Sequence, residues 1–112
     1  MSLAHRELAA GRWNELSLLE QLGNVGSEVE RACNWKEKNN RDYCLRAADR
    51  ALELLDLTLA CPQHRFRLKE IARTREVLAD FFYGENQYGS SGEQLSRYFL
   101  PFAVAARRAR FL

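Results

Sequence analysis

Leu18, Leu22, Val25, Val29 and Ala32 recur at intervals of four, three, four and three. No other feature restricts the fold as much, because this period gathers apolar side chains on one face of an α-helix and scatters them over both faces of a strand. The lane lies within LSLLEQLGNVGSEVERACNWKEK, a run that also holds Gly23 and Gly26. Each glycine costs a helix interior about 1 kcal/mol relative to alanine. Leu19, Gly26 and Cys33 form a neighbouring lane, which puts Gly26 on the buried stripe. A terminating glycine is followed by polar loop residues, whereas here the period resumes at Val29. The sequence therefore predicts one continuous helix, with Gly23, Gly26 and Ser27 forming a shallow groove for a neighbouring helix. The competing reading is a kink at the glycine pair. Ser17 and Glu20 make the S-x-x-E pattern that starts the helix by satisfying two orphan amides.

Three further helical segments follow. Asn39 and Asn40 are cap residues for RDYCLRAADRALELLDLTLAC, whose inward lane is Cys44, Ala47, Ala48, Ala51, Leu54, Leu55 and Thr58. The small residues in that lane suit close approach to the glycines of the first helix. Asp42, Arg46, Asp49, Arg50, Glu53 and Asp56 fill the opposite, charged side. Pro62 fits the first turn of a third helix, PQHRFRLKEIARTREVLADFFYG, because its missing donor is unneeded there. Leu68, Ile71, Ala72, Leu78 and Phe82 share a face in that segment, and Gly84 closes it. ENQYGSSG reads as a loop. Ser91 or Ser90 caps the last helix, with a stripe of Leu95, Tyr98, Phe99, Phe102 and Ala106, and Pro101 is expected to bend or restart it. No alternating run supports a sheet. The expectation is an all-α, antiparallel up-and-down four-helix bundle, one domain over 1–112, with 1–16 as an N-terminal arm or short helix.

Composition narrows the chemistry. Hydrophobic content of 46% with 29% charged residues describes a soluble globular chain. The apolar runs are far shorter than the ~20 residues of a membrane span. No leader-like N-terminus is evident, so a cytoplasmic location is expected. Cys33, Cys44 and Cys61 are widely spaced and lack a CxxC pair, which argues against a disulfide framework or zinc site and suits small core hydrophobes. His5 and His64 are the only histidines, and no HExxH, GxSxG or P-loop pattern accompanies them. Asp49, Glu53 and Asp56 share a lane that could offer oxygens to a divalent metal. The interleaved Arg46 and Arg50 favour an ion-paired face instead. No catalytic residue, metal or cofactor is expected.

Charge is uneven. From Pro62 to Leu112 there are nine Lys/Arg against five Asp/Glu, and from Met1 to Cys61 eight against ten. HRFRLKEIARTR supplies Arg65, Arg67, Lys69, Arg73 and Arg75, and RRAR adds Arg107, Arg108 and Arg110. Guanidinium groups suit phosphate through forked, permanently charged donors, so these residues are the candidate nucleic-acid contacts. The alternative is an ordinary helix surface whose arginine stems cover apolar neighbours. Trp13, Trp35, Tyr43, Phe66, Phe81, Phe82, Tyr83 and Tyr88 stand mostly near helix ends, where aromatics close a bundle core. Any cluster left exposed among them marks a partner surface.

The layout of RALELLDL in the second helix, a basic third helix and YFLPFAVAARR in the last resembles small prokaryotic four-helix accessory proteins. Their example is the accessory variability determinant (Avd) of diversity-generating retroelements, with its ribosomal-intervening-sequence relatives. The resemblance implies a homo-oligomer that binds a reverse transcriptase and RNA or DNA without being an enzyme. DYCLRAADRALELL is also similar in texture to the second helix of HEPN domains. Their ribonuclease motif leaves four to six residues between an Arg and a following His, but Leu57, Thr58 and Leu59 occupy those positions before His64. An HEPN likeness thus implies a non-catalytic or partner role; the second expectation is an HEPN-like ribonuclease or toxin-antitoxin component lacking the usual motif, and a protein-only interaction module is the third.

Overall fold

The computed structural model describes residues 11–111, with the side chains of 110 and 111 outside the described set. It is all-helical: α1 (Leu18–Glu37), α2 (Arg41–Leu59), α3 (Leu68–Phe82) and α4 (Gly92–Phe111) pack against one another. Short 3-10 segments at Trp13–Glu15 and Pro62–Arg67 complete it, and no strand occurs among the described residues. α1 contacts both α2 and α4, while α3 packs on α2 and only thinly on α4.

Helix α1 begins as its capping chemistry requires. The Glu20 amide donates to Ser17 Oγ at 3.1 Å, and the Ser17 amide donates to Glu20 Oε1 at 3.2 Å. The helix then runs unbroken through both glycines. Their neighbour is α4, not the alanine lane of α2 as the sequence suggested. A Cβ added at Gly26 would lie 2.6 Å from Phe99 Cβ, and one at Gly23 would lie 3.3 Å from Ala103 Cα. The reason is angular: successive helical residues turn by about 100°, so the glycine lane faces a different side from Leu22, Val25 and Val29.

All seven residues of the inward lane expected for α2 are buried. Asn40 caps that helix by accepting from the Tyr43 amide at 3.1 Å. Asn39 is the turn residue rather than a cap, with a left-handed φ of 59°. The third helix departs from expectation. Pro62–Arg67 is a 3-10 segment with His64 at φ −106°, ψ 15°, so the regular helix begins only at Leu68. Ile71, Leu78 and Phe82 are buried, whereas Ala72 is half-buried and Leu68 is exposed.

The loop before α4 is held by side chains. The Asp80 carboxylate accepts from the Gln87 and Tyr88 amides at 2.8 and 3.0 Å, and Asn86 exchanges two hydrogen bonds with Ser90. Ser91 caps α4, taking the Gln94 amide at 3.1 Å. Pro101 lies on the exposed side of α4, which continues past it as one helix without restarting.

The part of the 1–16 segment that falls within the described residues contributes to the core. Trp13 is 2% exposed, and its Nε1 donates to Thr58 Oγ1 at 3.1 Å, which in turn donates to Leu54 O at 3.0 Å. Gln21 Nε2 donates to Trp13 O at 2.9 Å. Residues 1–10 lie outside the described set. Cys44 and Cys61 are buried and Cys33 half-buried, all as free thiols. Among the described residues no group of His, Cys, Asp and Glu could hold a metal ion, and no helix is long and apolar enough to cross a membrane.

Candidate nucleic-acid interface

The 3-10 segment gives adjacent side chains opposite fates. Cys61 O accepts from the His64 amide at 3.1 Å, turning the chain so that His64 is buried at 7% exposure while Phe66 is 86% exposed. No other large hydrophobic among the described residues stands so far into solvent. The Arg65 guanidinium lies 5.1 Å from the Phe66 ring centroid. Arg67 pairs with Glu70 at 2.7 Å, both about half exposed, and Lys69 is exposed. The result is an aromatic face bordered by cations and reachable by a planar ligand.

The remaining candidate arginines do not all join this surface. Arg73 sits over the Tyr88 ring at 5.2 Å, beside the loop. Arg75 bonds Asp56 at 2.6 and 3.4 Å and so ties α3 to α2. That geometry consumes its fork and makes it the poorest phosphate ligand of the set. Asp49 accepts from the Tyr83 hydroxyl. With Asp56 paired to Arg75, these two acids of the Asp49, Glu53, Asp56 lane serve contacts between helices. Arg107 and Arg108 are exposed, and the side chain of Arg110 lies outside the described set. Arg107 adjoins Glu20 and Asn24, while Gln63 Nε2 donates to Asn14 O at 3.1 Å just before α1. Both basic segments therefore lie at the end of the molecule where α1 begins.

Two other features were candidates for chemistry. Glu70 Oε1 and Thr74 Oγ1 each lie within hydrogen-bonding reach of the Tyr98 hydroxyl, at 3.1 and 3.2 Å, across a cleft of about 320 Å³ between α3 and α4. Burial first, and then the Glu70 carboxylate, push the Tyr98 hydroxyl pKa up, so it stays a neutral donor. His64 is the only histidine among the described residues. Its Nε2 has no hydrogen-bond partner, and burial lowers its pKa. That environment suits a neutral core imidazole more than a proton-transfer group.

Sequence reasoning placed Phe66 among aromatics that close helix ends and did not single it out. Its position inside HRFR, where only charged and polar neighbours surround it, was the available signal. No protein-family model matches this chain, and no curated protein or solved structure matches it either.

Proposed function

We propose that the chain is a non-enzymatic four-helix adaptor that self-associates and contacts single-stranded nucleic acid, with Phe66 as a stacking residue and Arg65, Arg67, Lys69, Arg107 and Arg108 as phosphate contacts. One observation carries this: a phenyl ring 86% exposed between two arginines. Burying such a ring against a base removes apolar area from water and adds stacking.

An antiparallel up-and-down path is part of the same proposal. Its support is the pairing of Trp13 with Thr58, Glu28 with Arg50 and Trp35 with Tyr43 between α2 and the chain leading into and along α1. Gly23 with Ala103 and Gly26 with Phe99 give the same sense for α1 and α4. A cytoplasmic accessory to a nucleic-acid enzyme such as a reverse transcriptase fits this role.

Binding of labelled single-stranded RNA and DNA, titrated over a range of salt, tests the proposal. Phe66→Ala is expected to weaken binding by about 1–3 kcal/mol, the usual cost of losing one stacked base. Arg65→Ala is expected to reduce the salt slope by about 0.7, one phosphate's share on a single strand. Full-strength binding by both variants would overturn it.

A further inference from the structure

Leu100 and Val104 sit one turn apart on α4 and are 61% and 41% exposed. Leu100 lines a hollow of about 190 Å³ between α1 and α4, whose α1 wall is Gly23, Gly26, Ser27 and Glu30. Gly23 and Gly26 let α4 approach closely, Ala103 and Phe99 taking the space that their side chains would fill, and the hollow lies beside that contact. It continues into a second of about 160 Å³ that reaches Glu20 and Arg107. This one face therefore carries an apolar ridge and a groove of matching span.

The two helices are in a fixed register. Gly26 lies level with Phe99 and Gly23 with Ala103, so Leu100 and Val104 stand level with the same two glycines. Acids and bases are also sorted between the helices. Glu20 and Glu30 flank the groove on α1, while Arg97 and Arg107 lie on α4 at the corresponding levels. Among the described residues Arg97 pairs with Glu93 of its own helix, both about three-quarters exposed, a pairing of little strength.

We infer that this face docks a second copy of the chain, with Leu100 and Val104 of each copy laid along the hollow beside Gly26 and Ser27 of the other. The charge pattern selects the symmetry. A two-fold axis along the helices lays each α4 over the other copy's α1 at the same level, so Glu20 meets Arg107 and Glu30 meets Arg97. An axis across the helices sets α1 on α1 and brings Glu20 against Glu30. Only the first arrangement joins opposite charges and ridge to groove, and each contact then occurs twice. This inference rests on the self-association in the proposed function and names the surface for it.

Sedimentation of the full chain across a dilution series tests it. A dimer is expected. Leu100→Asp is expected to raise its dissociation constant at least 30-fold, by roughly the loss of a central anchor. The melting temperature of the dilute protein should stay unchanged, because Leu100 is outside the chain's own core. Glu30→Lys should weaken the dimer about fivefold, two exposed ion pairs being lost, and adding Arg97→Glu should restore it. A monomer at every concentration would overturn both this inference and self-association. A dimer indifferent to Leu100→Asp would reject this face while leaving self-association intact. A dimer tightened by Glu30→Lys would reject the proposed axis and the pairing with it. None of these outcomes bears on strand binding, which is read separately through Phe66→Ala.

Discussion

His64 and Phe66 are two positions apart and have exchanged the environments that their chemistry prefers. The imidazole is buried with Nε2 unpartnered, and the phenyl ring is in water. Burial holds the His64 pKa below its ordinary 6.5, so the unfolded chain takes up protons first as pH falls. Stability is therefore complete above about 6.5 and declines as pH drops through the lowered folded-state value. Melting temperature against pH should fall in that window, and His64→Leu should flatten it. Gly26 gives a second prediction at this scale. Alanine there gains about 1 kcal/mol of helix propensity but overlaps Phe99 Cβ, a packing conflict of about 1–3 kcal/mol. Urea denaturation should show Gly26→Ala to be net destabilising and Gly23→Ala milder, since its closest contact is 3.3 Å. The periodicity of α1 made the packing of Gly26 against a neighbouring helix legible, although the residue is half-buried and not buried. It did not identify the neighbour, because a lane specifies a direction around the helix and not which helix lies there.

At the scale of elements, the clearest sequence signals were those in which backbone need and side-chain type coincide. Ser17 with Glu20 and Ser91 with Gln94 form reciprocal caps, and Ser17→Ala should cost about 1 kcal/mol in thermal or urea unfolding. The inward lane of α2 was legible in full because the helix is regular and its apolar and charged sides are well separated. The break at His64 was not. Pro62 reads equally as the first residue of an α-helix or of a 3-10 turn, and QHRFR holds no glycine or second proline to mark the change. Trp13 was obscured for another reason. Few apolar residues surround it in sequence, and its partners Thr58 and Gln21 are supplied by distant helix faces. Trp13→Ala should cost about 3–5 kcal/mol, the usual effect of removing a buried large aromatic.

For the molecule as a whole, the three thiols report on integrity. Cys44 and Cys61 are 5% and 1% exposed, and burial pushes the Cys33 thiol up to about 11, leaving little thiolate at neutral pH. Native protein should therefore react slowly with a disulfide reagent, Cys33 first. Cys44 and Cys61 should follow only through opening of the fold, at rates that rise with denaturant. Function was less legible than fold at this scale. Composition identified a basic half, but folding assigned Arg75 to an ion pair, stacked Arg73 on Tyr88 and left Arg65 beside a bare ring.

The thin contact of α3 with α4 gives this architecture a mechanical bias. Three of the helices share the central packing through α1 and α2, whereas α3 rests mainly on one of them. Under tension or partial denaturation it is the rod that peels first, and the joint it swings on is the stretch that displays Phe66. On the proposed function, a strand gripped there would clamp that hinge. Amide exchange along α3 should then slow more on strand capture than exchange anywhere else in the chain.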